Sequence, residues 1–330
     1  MRSLLILSFL VFLFSCAKSP EEKVNEAIDV AQSYLSDGNC EEAFKILNSA
    51  GYQPENPIYL QVYASAYGCR ANYTYAVIVD ALEDNLIDTT ATGLFKSLSI
   101  LRTSIVEKEA DSLSYRSMRS GLNVLLNDDG VTQPSQEDRT TKFGSRKAGD
   151  IGMQVLFMGI AQFGKFLNFY GNVNATGVKG GGAANTDEQG NPVSTCFVSY
   201  TGDADTYINL PADYGGACKS GSRVSHPNLS TAAADLPVTK RRMCEGLTLL
   251  TNIIDVITNI ELSSNSSFAD LENIKDLVND FRDQATTVDP SLQTLLETTS
   301  QKECESIVGT AAEFDKLQKI YALIFETGLQ

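Results

Sequence analysis

The feature that most constrains the fold of this 330-residue chain is a helical pattern that occurs twice near its start. Tyr34 is followed by Tyr67, and Ala43 by Ala76, each at a distance of 33 residues. In each copy, apolar and small residues recur every three or four positions, which is the period of an α-helix. Gly38 separates the two helical stretches of the first copy and permits a tight turn. The pattern therefore predicts stacked pairs of antiparallel helices and an all-α, or nearly all-α, fold.

The two copies span residues 21–84 and resemble tetratricopeptide repeats, a family of helical hairpins with a period of about 34 residues. The resemblance lies at the family's packing positions: Ala27, Val30, Ala31, Tyr34, Gly38, Ala43, Leu47, Ala50 and nearby Pro54, then Leu60, Tyr63, Ala64, Tyr67, Ala71 and Ala76. A generic pair of helical hairpins is the alternative. The resemblance implies a surface for peptide or protein partners. We assign residues 21–127 to this repeat-like region, with further helices expected near 91–106 and 111–127.

The first 16 residues have the organisation of an export signal. A positively charged second residue precedes an apolar run at residues 4–14, and this run is shorter than the roughly 20 residues that span a membrane. Leu13, Phe14, Ser15 and Cys16 resemble a bacterial lipobox. In that family the signal is cleaved before the cysteine, which is then lipidated. An ordinary secretory signal with a chance cysteine is the alternative.

The lipobox resemblance implies that residues 1–15 are a signal peptide and that residues 16–20 form the lipidated N-terminus. Ala17, rather than an aspartate, follows Cys16, which under the enterobacterial sorting rule implies an outer-membrane lipoprotein that faces the periplasm. Several acyl chains together anchor a protein stably. Ser19 and Glu22 have the spacing of a capping box, so we expect the first helix to begin close to this anchor.

The net charge of −15 limits the partners that the chain can bind. Phosphate backbones and anionic lipid headgroups repel a protein this acidic, so we expect no nucleic-acid partner and contact with the membrane only through the lipid anchor. The expected partner is an envelope protein or peptide whose identity the sequence does not reveal.

Six cysteines remain after Cys16, an even number that predicts three disulfides in an exported protein: Cys40, Cys69, Cys196, Cys218, Cys244 and Cys304. Six cysteines allow 15 connectivities. Neither a CxxC motif nor a Cys/His zinc spacing is present in the sequence, which makes metal binding the weaker explanation. We expect no metal and no cofactor.

Three pairings are predicted. In a repeat array, the second helix of one unit packs antiparallel to the first helix of the next, which would bring Cys40 near Cys69. Cys196 and Cys218 are close in sequence and enclose a possible β-hairpin. If helices at 241–262, 267–284 and 301–326 alternate in direction, the first and third begin at the same end. That parity would pair Cys244 with Cys304, although the segment after Pro290 could reverse it.

The remaining chain divides into three regions. Residues 128–170 are expected to form a polar loop at 128–148 and then an apolar helix at 151–170. Lys165 argues against a membrane span, so we expect this helix to be buried at the centre of a bundle, or to line a lipid or small-molecule pocket with its aromatic residues. Residues 171–240 form a glycine-rich, irregular insertion with a possible short β-hairpin. Residues 241–330 are expected to add C-terminal helices to the same bundle.

No catalytic motif stands out in the sequence. The single histidine, His226, lies in a predicted loop without a nearby nucleophile motif, and Asp203 and Asp205 are better explained as a solvated turn than as part of a calcium loop. We therefore predict a non-enzymatic, membrane-anchored scaffold for protein–protein interaction or envelope assembly. The alternative is a ligand-binding accessory lipoprotein, because the chain also distantly resembles the T component of TRAP transporters. An enzyme with an unrecognised carboxylate site is the third hypothesis.

Overall fold

Every regular element in the described part of the computed structural model is helical, which confirms the all-α class. The structure describes residues 18–73, 112–126, 135–171, 197–198, 200, 229, 236–259, 279–280 and 282–326.

The helices follow one another along two thirds of the chain. They are α1 (Pro20–Ser36), α2 (Cys40–Ala50), α3 (Pro57–Arg70), α4 (Leu113–Leu126), α5 (Gln136–Phe143), α6 (Ser145–Gly171), α7 (Leu236–Asn259), a 3₁₀ turn (Pro290–Leu292), α8 (Gln293–Glu297), α9 (Gln301–Ile307), α10 (Ala311–Ile320) and a π-helical turn (Tyr321–Glu326). Residues 282–288 are also helical.

The first three helices form an N-terminal unit with its own small core. The predicted capping box opens α1: the backbone N–H of Glu22 donates to Ser19 Oγ over 3.1 Å, and the N–H of Ser19 donates to Glu22 Oε2 over 2.7 Å. Gly38 takes a φ of 73° in the turn to α2, as its predicted role requires. A disulfide joins Cys40 to Cys69 with a Cα–Cα distance of 5.6 Å, so the predicted antiparallel contact between α2 and α3 is present.

Helix α3 belongs to two cores at once. Tyr59 and Val62 pack into the core of the N-terminal unit, whereas Ala64 packs into the main core of the molecule. Helix α4 approaches α3 closely at Gly121, where an added Cβ would lie only 3.2 Å from the backbone oxygen of Ala64. The N-terminal unit is therefore fixed to the main core through α3.

Helix α6 lies at the centre of the main core, as the sequence predicted. Its neighbours are α3, α4, α5 and α7, and both Gln162 and Lys165 are almost fully buried within it. Among the described residues, no helix has the length and apolarity that crossing a membrane would require.

The region predicted as a loop at 128–148 instead contains a helix. Ser135 and Asp138 form a capping box that begins α5, and α6 already starts at Ser145. A buried polar network holds α5 in place, in which Arg139 Nη2 lies 3.5 Å from Asp255 Oδ2 of α7. Because α5 has few apolar residues, hydropathy did not reveal it; its stability comes from this cap and these polar contacts.

The C-terminal part also differs from the single helix predicted at 301–326. Val308 ends α9, and Thr310 caps a new helix, α10, by accepting the backbone N–H of Glu313. Gly309 lies at the break, where glycine disfavours the helical conformation.

The Cys244–Cys304 disulfide is present, with a Cα–Cα distance of 5.7 Å, but the parity argument that predicted it is wrong. Asn252 Nδ2 donates to the carbonyl of Thr299 over 2.8 Å, and Lys240 Nζ donates to that of Gly309 over 3.2 Å. Contacts thus move backwards along α7 as the chain advances, so α9 runs antiparallel to α7. The short turn and helix after Pro290 reverse the chain.

Four described residues of the glycine-rich insertion are buried in the main core: Phe197, Val198, Tyr200 and Leu229. Glu326 accepts the backbone N–H of Phe197 over 2.8 Å and the hydroxyl of Tyr200 over 2.7 Å. These contacts attach this part of the insertion to the C-terminal helices.

Several predictions lie outside the described residues. They are the signal peptide and Cys16, the helix at 91–106, the later part of the second repeat copy, the possible hairpin, the Cys196–Cys218 pair, His226, and most of the helix at 267–284.

Candidate functional site

A row of aromatic side chains runs along α3 and faces α2. Tyr59, Tyr63 and Tyr67 recur every four residues, which places them on one side of the helix. Their rings are in contact, with centroid distances of 5.5 Å and 5.4 Å between successive tyrosines. Phe44 of α2 and Tyr52 of the following loop extend this set, which we call the aromatic row.

The aromatic row is only partly covered. Tyr59 and Phe44 are buried, Tyr63 and Tyr67 are half-buried, and Tyr52 is 51% exposed. Partial burial raises the pKa of Tyr63 to about 12 and also raises that of Tyr52, so these hydroxyls are protonated at neutral pH. The Tyr63 hydroxyl donates to Asn48 Oδ1 over 2.8 Å. The row therefore offers neutral ring faces and hydroxyl groups to a partner.

Arg70 ends the row. Its guanidinium carbon lies 4.1 Å from the centre of the Phe44 ring, and its Nε and Nη2 each donate to Glu41 over 2.8 Å. The hydrogen bond from Arg70 lowers the pKa of the Glu41 carboxyl. The contact shows that these rings accept a cation over their faces.

A second candidate site is a pocket of about 100 Å³ enclosed by α4, α6, α7 and α9. Its lining residues are Arg119, Leu122, Asn123, Leu126, Val155, Gly159, Glu245, Thr248, Leu249, Asn252, Ile253 and Gln301. One part of the wall is apolar, whereas Arg119 and Glu245 bring opposite charges to the other. The aromatic residues of α6 are absent from this lining, contrary to the idea that they would face a cavity.

Glu245 is the buried charged group of this pocket, with a residue exposure of 8%. Its Oε1 accepts the hydroxyl of Tyr115 over 2.9 Å, and its Oε2 lies 3.5 Å from Arg119 Nη1. Burial raises the pKa of Glu245, while Arg119 and the Tyr115 hydrogen bond oppose that rise. The weak contact with Arg119, whose side chain is 44% exposed, leaves both charged groups able to bind another molecule.

The other polar residues of the pocket bond to the protein. Gln301 Nε2 donates to the carbonyl of Arg241 over 2.9 Å, and the Thr248 hydroxyl donates to that of Cys244 over 2.9 Å. These bonds fix one wall of the pocket.

Within the described part of the chain, no group of three or more His, Cys, Asp or Glu side chains has the arrangement of a metal site. Of the cysteines singled out by sequence, Cys40, Cys69, Cys244 and Cys304 are in disulfides. These bridges have a structural role, and none of the four lines the pocket.

Comparison with known proteins identifies no relative: no protein family, curated protein or solved structure matches the chain.

Sequence reasoning missed Glu245, Tyr115 and Arg119. Glu245 has one local signal, since it is a lone acid within the otherwise uncharged stretch MCEGLTLL at residues 243–250. Its partners on α4 lie more than 120 residues earlier, and no spacing rule connects them. The tyrosines of the aromatic row were identified only as packing positions of a repeat.

Proposed function

We propose that this protein is an exported lipoprotein, anchored at the outer membrane through Cys16, whose N-terminal unit binds an envelope protein or peptide. The role is that of a non-catalytic scaffold for interaction or assembly. The observation that carries the proposal is the partly exposed aromatic row on a rigid, disulfide-linked helical unit. Tyrosine is enriched at protein interfaces because it contributes a large apolar area and a hydroxyl group with little loss of side-chain entropy.

The charge of the N-terminal unit favours a basic partner. Residues 18–73 contain eight acidic and four basic side chains, a net charge of −4. The exposed ring of Tyr52 adjoins Tyr63 at a centroid distance of 6.2 Å, so a lysine or arginine of the partner can stack where Arg70 stacks farther along the row. We therefore propose a basic, extended peptide segment as the ligand of the aromatic row.

The lipid anchor would hold this surface near the membrane. Cys16 precedes Pro20, the first residue of α1, by only four positions. So short a tether leaves little room for the N-terminal unit to move away from the bilayer, which suits a partner that is itself at or near the membrane.

Photo-crosslinking in cells tests this proposal. A photoreactive phenylalanine analogue replaces Tyr52, which is 51% exposed, and in a control replaces Val288, which is 46% exposed. We expect a protein adduct from position 52 that is absent from position 288 and is reduced by Tyr63→Ala. The same adducts from both positions, or none from position 52, would refute partner binding by the aromatic row.

A further inference from the structure

The pocket between α4, α6, α7 and α9 is large enough for a small side chain. An apolar cavity of about 150 Å³ binds benzene, which has six carbon atoms. The volume of about 100 Å³ therefore corresponds to roughly four carbon atoms, the size of an aliphatic amino-acid side chain. Leu122, Leu126, Val155 and Ile253 supply an apolar surface for such a group.

The two charged groups of the pocket balance each other. Glu245 Oε2 and Arg119 Nη1 lie 3.5 Å apart, which is long for a charge-assisted hydrogen bond. A cationic ligand on Glu245 would meet repulsion from Arg119, and an anionic ligand on Arg119 would meet repulsion from Glu245. A ligand with both charges replaces one weak contact by two strong ones.

We propose that this pocket binds a small aliphatic α-amino acid, a function separate from partner binding by the aromatic row. The ammonium group donates to Glu245 Oε2, the carboxylate accepts from the guanidinium of Arg119, and the side chain lies against Leu122, Val155 and Ile253. Tyr115 holds the other oxygen of Glu245 in place through its 2.9 Å hydrogen bond.

Access and local charge are consistent with this ligand. Arg119 and its neighbour on α4, Asn123, are exposed and form the open side of the pocket. Arg241 and Arg242 also act on the charge of Glu245, but neither lines the pocket, so they do not contact the ligand.

Calorimetric titration of the unmodified mature protein is the first test. We expect saturable binding of L-leucine. We expect binding at least tenfold weaker, about 1.4 kcal/mol, for 3-methylbutylamine, which lacks the carboxylate, and for 4-methylpentanoate, which lacks the ammonium group. Glycine, which has no side chain to fill the cavity, should also bind at least tenfold more weakly. Absence of L-leucine binding up to about 10 mM, or equal binding of either singly charged analogue, would overturn the proposal.

Variants of α4 then locate the site. Arg119→Gln should weaken L-leucine binding at least tenfold, whereas Arg116→Gln, an exposed arginine of the same helix outside the pocket, should leave it unchanged. Circular dichroism checks that each variant is folded. Equal loss in both variants, or no loss in Arg119→Gln, would place binding elsewhere and refute the assignment. The analogue comparison decides the ligand class without any variant.

Discussion

The hydroxyl of Tyr115 donates to Oε1 of Glu245 over 2.9 Å and joins α4 to α7 across 130 residues of chain. Both side chains are buried, and Glu245 raises the pKa of Tyr115 further above the value set by burial. This bond places a carboxylate in the main core with its second oxygen directed to the only cation that lines the pocket, Arg119. The stability of the fold and the chemistry of the pocket therefore depend on the same residue.

Glu245 should make stability depend on pH. Because burial raises its pKa above the ordinary value of 4.5, the folded protein binds this proton more tightly than the unfolded chain does. Its contribution to the free energy of unfolding is complete below the unfolded pKa and is lost as pH rises through the folded pKa. Glu245→Gln keeps the shape and removes the titration. Denaturant unfolding at about pH 4.5 and about pH 7.5 should show a smaller pH-dependent loss of stability in this variant than in the wild type.

The control for this measurement is Glu137→Gln, which alters an exposed carboxyl of α5. It should retain the wild-type difference in stability between the two pH values. A Glu245→Gln protein that retained the full difference would show that other groups account for the pH dependence.

The two disulfides should stabilise the protein unequally. Cys40 and Cys69 are 29 positions apart, and Cys244 and Cys304 are 60 apart. On the chain-entropy relation, the losses on removal are about 3.5 and about 4.3 kcal/mol, since the longer loop restricts the unfolded chain more. Alanine replacement of each pair, followed by urea unfolding, measures both losses. A larger loss for the shorter loop would contradict the entropic explanation.

A close contact at Gly246 should make this position intolerant of a side chain. An added Cβ would overlap the Phe166 ring and the Tyr321 hydroxyl, which meet there between α6, α7 and the π-helical turn. Gly246→Ala should therefore destabilise the protein by about 1–3 kcal/mol. Gly149 of α6 has no atom within 4 Å of an added Cβ, so Gly149→Ala should stabilise by roughly 0.5–1 kcal/mol. Equal effects in thermal unfolding would show that the contact at Gly246 relaxes.

Cys16→Ser tests the lipid anchor. A serine has no thiol to carry the diacylglycerol, so the variant should not incorporate labelled palmitate and should not partition with the membrane fraction. Cys196→Ser is the matched control, because it removes a cysteine of the mature chain that the lipobox does not contain. Palmitate incorporation that persisted in Cys16→Ser would refute the lipoprotein interpretation.

The candidate sites could be predicted only in part. The spacing of Tyr59, Tyr63 and Tyr67 places them on one face of a helix, and this much follows from sequence. Their exposure depends on how α2 and α4 cover that face, which spacing does not reveal. The pocket could not be predicted, because it exists only where side chains from four separate helices fail to fill the space between them.

Local chemistry in the sequence by itself determined the helical class, the capping box at Ser19, the turn at Gly38 and the burial of α6, since propensity, capping and periodicity act over a few residues. The same reasoning, extended over one repeat, placed Cys40 beside Cys69. Only the tertiary structure decided the direction of α9 against α7, the existence of α5 and the meeting of Tyr115 with Glu245. Each depends on packing or polar contacts between residues far apart in the chain, whose free energies local sequence does not encode.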